Sequence, residues 1–219
     1  WHDVTPQAPT RLALGEHFLG ALGADVVSNA SGYHTLYLDM DVLAADASVT
    51  GFLQLRTHLP VTQMDVPFEG GSFKVAQTAE HLFGVLALDA HMDIQTASFR
   101  AYQALLACCK DVGKPHLLRL WNYLPHINAL EKGEERYRLF NSGRRAALLE
   151  ANYLAQGGAP AACALGSHRG SFKLAFLAAT KPCTPLENPR QISAYNYPKD
   201  YGVNPPIFSR AGLYTQEHG

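Results

Sequence analysis

"DIQTASFRAYQALLACCKDVGKPHLLRLWNYLP", Asp93 to Pro125, decides the fold of this chain. From Ile94 the small and apolar side chains recur at Ala97, Ala101, Leu105, Cys108 and Val112, which is helical spacing. Asp93 is placed to cap the helix, and Gly113 with Pro115 stops it. "HLLRLWNYLP" (His116 to Pro125) then reads as a strand closed by proline. A helix leading into a strand suits a layer of helices packed on a sheet.

Working outward, Tyr33–Leu43 and Gly51–Pro60 read as strands, and Gly70–Ala90 as two strands with a turn or bulge between them. Residues 1–31 read as irregular. "EERYRLFNSGRRAALLEANYLA" (Glu134 to Ala155) is a second helix, with Phe140, Ala147, Leu148, Ala151 and Leu154 on its apolar stripe and Gly157–Gly158 at its end. Strands follow near Ala161–Leu165 and Phe172–Leu177, and a last one is expected at Gln191–Tyr197. The order predicts an α+β fold, a mixed β-sheet with helices packed on one face. No internal repeat, low-complexity segment or linker interrupts it, so residues 1–219 read as a single domain.

Bulk properties exclude several classes. The 219 residues carry a net charge of −1, with no basic stripe for nucleic acid. No apolar run approaches the roughly 18 residues of a membrane span. The four cysteines stand as an adjacent pair, Cys108–Cys109, and two isolated residues, Cys163 and Cys183, without a CxxC motif. They read as reduced thiols in a cytoplasmic protein. The ten histidines form no HExxH or Cys/His cluster, and "HMD" (His91 to Asp93) would need ligands from elsewhere, so no metal is expected. There is no GxSxG, Walker or GxGxxG motif. Cys108 lies on the helix's apolar stripe and reads as core filler, although a Cys–His pair meets only in space.

The informative residues are arginines and tyrosines. Arg136, Arg138, Arg144 and Arg145 cluster in "GEERYRLFNSGRR", with Arg136, Phe140 and Arg144 one turn apart. Arginine beside an aromatic suits a planar carboxylate, held by two parallel N–H bonds. A solvated face paired with Glu134 and Glu135 is the alternative. "NPRQISAYNYPKDYG" (Asn188 to Gly202) adds Arg190, Tyr195, Tyr197 and Tyr201, and "FSRA" adds Arg210. On a strand Tyr195 and Tyr197 would share a face. That face is either a pocket wall or a rim packed on its neighbour.

Five segments in order resemble one family, the chorismatases: "LWNYLPHIN" (Leu120 to Asn128), "GEERYRLFNSGR" (Gly133 to Arg144), "PAACALG" (Pro160 to Gly166), "ENPRQISAYNYPKDYG" (Glu187 to Gly202) and "PIFSRA" (Pro206 to Ala211). The first ninety residues resemble the family only loosely. The resemblance implies a fold related to RidA (YjgF), with this chain as the N-terminal domain. In the family a RidA-like C-terminal region of about a hundred residues follows, apparently absent here. It would hold the catalytic glutamate, so no general acid is named among Glu80, Glu131, Glu134, Glu135 and Glu187.

The implied activity is cleavage of the enolpyruvyl ether of chorismate, giving pyruvate and a dihydroxycyclohexadiene carboxylate or hydroxybenzoate. It needs no metal or organic cofactor. Carried over by motif, Arg144, Tyr197 and Arg210 are the first candidates for substrate contacts, and Arg136, Tyr137 and Tyr195 the second. The implied partner is the small-molecule substrate, with self-association or pairing with a RidA-like C-terminal half. A non-catalytic RidA-like module for a small aromatic or dicarboxylate ligand is the alternative function.

Overall fold

The computed structural model describes residues 17–23, 35–37, 53–88, 92–156, 158–198 and 204–215. Its centre is a six-stranded mixed sheet. The strands are β4 (Thr62–Phe68), β5 (Gly71–Gln77), β6 (His81–Leu88), β7 (His116–Pro125), β10 (Ala161–Ser167) and β11 (Lys173–Ala179), in the order β10-β7-β11-β6-β5-β4. β4, β5 and β6 form a meander with consecutive antiparallel pairings. β11 lies between β6 and β7, antiparallel to both, and β10 runs parallel to β7.

Two helices, α1 (Ile94–Asp111) and α2 (Arg136–Glu150), pack on one face of this sheet. Period two explains how the strands serve two cores. Phe73 and Val75 of β5 and Leu174 and Phe176 of β11 meet the helices, while Ala76 and Ala175 turn to the opposite side. There Phe83, Val85 and Tyr123 pack with Leu19 and Leu55 of a smaller sheet. That sheet is β1 (His17–Gly23), β2 (Thr35–Tyr37) and β3 (Leu53–Thr57). Both faces are thus covered, one by helices and one by strands.

The helix that opened the sequence reading forms as its residues dictate. The Asp93 carboxylate accepts from the Thr96 amide at 3.0 Å, satisfying an amide that the first turn leaves without a partner. Gly113 takes a positive φ of 71° just past the helix end, where a side chain would be strained. A short hairpin of β8 (Leu130–Glu131) and β9 (Glu134–Glu135) precedes α2, and the ribbon β12 (Thr184–Leu186) with β13 (Ala211–Leu213) follows the main sheet.

Three expectations are corrected. His17–Gly23 is a strand, where irregular chain was expected. Thr62–Phe68 is an additional strand, β4, at the sheet edge. Gln191–Tyr197 is no strand: it is a turn leading into a 3₁₀ turn at Ala194–Asn196, closed by the Tyr197 amide donating to the Ala194 carbonyl. Pro189 and Pro198 bracket this stretch and donate no amide to a ladder. Of the expected strand at Tyr33–Leu43, Thr35–Tyr37 is confirmed and the rest lies outside the described residues.

Candidate ligand site

α1 and α2 approach closely at Gly143. A Cβ there would collide with the Gln95 carbonyl and the Ser98 hydroxyl of α1. Ser98 Oγ donates to Phe140 O across the gap at 3.2 Å. Glycine inside a helix costs about 1 kcal/mol against alanine, so it belongs where two backbones must meet. The next residue, Arg144, is thereby set against Tyr102, one turn beyond Ser98.

Arg144 is 3% exposed, and its guanidinium carbon lies 5.3 Å from the Tyr102 ring centroid. Its Nε and Nη2 are buried without a hydrogen-bond acceptor among the described residues. An unpaired buried cation is costly. Burial pushes the Tyr102 hydroxyl up from its ordinary pKa, opposed by the Arg144 charge and by side-chain hydrogen bonding to Asn122 and, more weakly, to Arg144 itself, so it keeps its proton at neutral pH. Tyr102 and Asn122 are absent from the sequence-based candidates. They come from other elements: Asn122 lies within the segment Leu120 to Asn128 but is not singled out there, and no local motif marks Tyr102.

Arg210 forms a second cationic feature. Its Nη2 donates to Tyr197 Oη at 2.7 Å and to Ile192 O at 3.3 Å, and its guanidinium lies 5.3 Å from the Phe208 ring centroid. Its Nε is buried without an acceptor among the described residues. The ladder of β12 and β13 ends at Leu186 opposite Ala211, which leaves Glu187 and Arg210 as the next residues on the two strands. Both Glu187 carboxylate oxygens are buried without a hydrogen-bond partner among the described residues.

One segment links the two features. Asn204 donates to Ser142 Oγ at 3.1 Å on the turn of α2 before Arg144. Ile207 enters the helix-side core, and Ser209 bridges Ala161 on the open side of β10. Arg210 follows.

The other candidates are placed differently. Arg136 pairs with Glu131 at 2.8 Å and donates from Nε to Pro125 O, which ties the β8–β9 hairpin to α2. Arg138 lies near Glu134 and Glu135, at 3.7 and 3.5 Å, as the solvated-face alternative describes. Tyr137 is half-buried against the helix-side core. Tyr195 lies in the 3₁₀ turn, so it does not share a strand face with Tyr197. Tyr201 and His91 lie outside the described residues.

A separate groove of about 360 Å³ runs between the outer sides of the helices, lined by Leu106, Lys110, Pro115, Ala147 and Tyr153. It carries none of the candidate arginines. Among the described residues no group of three or more His, Cys, Asp or Glu side chains could hold a metal ion, and no helix is long and apolar enough to cross a membrane.

The adjacent thiols of α1 are poor nucleophiles. Cys108 and Cys109 are buried in the core, and burial raises both above the ordinary thiol pKa. Only the thiolate attacks, so a thiol-directed reagent at pH 8 should leave both unmodified in the folded protein and label them after unfolding. Mass spectrometry of the labelled peptides checks this. Labelling of Cys108 in the native state would revive a cysteine nucleophile.

A family model, Chorismatase FkbO/Hyg5-like, N-terminal, matches residues 61–178. A chorismatase of Streptomyces rapamycinicus is 36% identical over 138 residues, which are 62% of this chain and 41% of that protein. A 3-hydroxybenzoate synthase of Streptomyces hygroscopicus is 36% identical over 117 residues, 52% of this chain and 34% of that protein. This chain thus spans about two fifths or less of these curated relatives. A crystal structure of chorismatase superposes with a TM-score of 0.69 at 28% identity, covering 91% of this chain and 60% of the other.

Proposed function

Because the chain belongs to the FkbO/Hyg5-like chorismatase N-terminal family, we propose that it holds chorismate for cleavage of the enolpyruvyl ether. The observation that carries this reading is Arg144, a buried guanidinium with two N–H-bearing nitrogens lacking an acceptor among the described residues. A planar carboxylate would satisfy both. Chorismate has two carboxylates, and Arg210 with Tyr197 supplies the second clamp.

The chemistry then runs as follows. A carboxylic acid protonates the enol methylene and leaves an oxocarbenium-like carbon beside the side-chain carboxylate. In the hydrolytic branch water adds to that carbon, and the hemiketal collapses to pyruvate and a dihydroxycyclohexadiene carboxylate. In the other branch the ring loses the same pyruvate and aromatises to a hydroxybenzoate, with no net water consumed. The acid must be protonated near pH 7, which burial achieves. In this reading it is a glutamate of a RidA-like C-terminal region, and the chain described here positions the substrate. The same reading places the protein in the cytoplasm and gives this domain a RidA-related fold.

The test follows pyruvate release from chorismate through lactate dehydrogenase, with chorismate affinity measured in parallel on the full-length protein. Release supports the proposal. Binding without release favours a non-catalytic ligand module, and absence of binding removes both. Arg210→Ala should weaken chorismate binding about tenfold or more, the value of one charge-assisted hydrogen bond. Lys173→Ala should change it less than twofold. Equal effects would overturn the assignment of Arg210.

A further inference from the structure

We propose that Tyr102 and Asn122 are positioning residues that hold the Arg144 guanidinium in register for a planar carboxylate. The inference rests on the reading of Arg144 given above and extends it to two residues in other elements. Tyr102 of α1 is 0% exposed, Asn122 of β7 is 1% exposed, and with Arg144 they form a polar row inside an apolar core. Buried polar groups of this kind must be satisfied by partners.

The row is satisfied from its sheet end inwards. Asn122 Nδ2 donates to the Cys163 carbonyl of β10 at 2.9 Å. That carbonyl can only accept, so it fixes the amide's orientation and leaves Oδ1 facing α1. Oδ1 accepts from the Tyr102 hydroxyl at 2.8 Å. The Tyr102 ring is held edge-on by Phe140 at 6.4 Å, and Phe140 in turn by Phe172 at 5.6 Å. Arg144 lies over that ring, with Nε and Nη2 lacking an acceptor among the described residues.

The asymmetry points to the role. A row that served the fold alone would end on an acceptor. This one begins on a backbone carbonyl and ends on a buried cation with two donors that meet no acceptor among the described residues. The guanidinium rests over the Tyr102 ring, the ring hydroxyl is held by the Asn122 amide, and the amide by the backbone of β10. A ligand carboxylate would meet donors fixed before it arrives, so less ordering is lost on binding.

The test uses the full-length protein and chorismate as the probe. Tyr102→Phe keeps the ring and removes the hydroxyl, leaving Asn122 Oδ1 without a donor. The double variant Tyr102→Phe/Asn122→Leu removes both partners and restores an apolar interior. Melting temperature should fall in the single variant and recover at least in part in the double. Chorismate affinity should fall about tenfold in both and should not recover with stability. In an Arg144→Lys background, Tyr102→Phe should cost no more than about twofold further, because the fork it positions is gone.

Affinity that returns with the melting temperature in the double variant makes the row structural and overturns the inference. If Arg144→Lys loses binding while both Tyr102 variants bind as the parent does, the inference falls and the reading of Arg144 stands. If Arg144→Lys itself binds chorismate normally, the reading of Arg144 falls, and the inference with it.

Discussion

Replacing Arg144 by methionine should abolish useful binding of chorismate and leave the folded chain at least as stable as before. The two halves of this expectation share one cause. Arg144 is almost wholly buried, and its Nε and Nη2 have no acceptor among the described residues. Each charge-assisted hydrogen bond to a carboxylate contributes about 1.5–3 kcal/mol. Loss of two such bonds therefore weakens binding by roughly a hundredfold to ten-thousandfold. In the unliganded state the same cation is a liability. Exchanging buried ionic groups for apolar ones of similar volume is often neutral or stabilising by about 1–4 kcal/mol. Loss of the stacking on Tyr102, about 1–2 kcal/mol, offsets part of that gain. Calorimetric melting and titration with chorismate read the two quantities separately. A variant that lost several kcal/mol of stability and kept its affinity would make Arg144 a structural cation and remove the main support for the proposed function.

Gly143→Ala should be the most destabilising single methyl group added to α2. On an exposed helix the exchange gains about 1 kcal/mol. Here the added Cβ meets the Gln95 backbone carbonyl and Ser98 Oγ, and a backbone carbonyl cannot rotate away. Overpacking at such a contact costs about 1–3 kcal/mol, which corresponds to a fall of roughly 2–10 °C in Tm for a chain of this size. The displaced helix carries Arg144 away from Tyr102, so chorismate affinity should fall with it. Thermal melting decides the first point. An unchanged or raised Tm would show that the helices separate without penalty and that Gly143 does not set their distance.

The sequence made α1 and β7 legible because each carries its signal locally. The α1 stripe is unbroken from Ile94 to Val112, and its ends are marked by Asp93 and Gly113. β4 carries a signal as well, with Met64, Val66 and Phe68 turned towards the helix-side core, but Pro67 argues against a strand. An edge strand tolerates that proline because one of its sides pairs with no strand among the described residues. β1 holds two glycines and no alternation of polar and apolar residues, and it forms through pairing with β2 and β3. Tyr195 and Tyr197 alternate as strand residues do, yet a strand needs a ladder, and the prolines on either side deny one.

The same division governs the candidate site. Arg144 and Arg210 stand out as residue types in a motif, so they could be named. What surrounds Arg144 comes from α1 and β7, and a single sequence does not record that Tyr102 and Asn122 meet it. Arg136 has the same residue type and the same spacing along the helix, but Glu131 and the Pro125 carbonyl engage it. Spacing identifies a face; only the tertiary partners separate a cation that is spoken for from one that is open.

The position of β11 has a consequence for how the chain is assembled. It sits between β6 and β7, yet it is synthesised after both and after β10. Until it emerges, the meander β4–β5–β6 and the pair β7–β10 are two half-sheets, each with a raw margin where β11 belongs. Such margins recruit stray strands, and the interval in which they stand open is the hazardous one during synthesis. The keystone of this sheet arrives late, and its almost unbroken run "KLAFLAA" closes both margins in a single insertion.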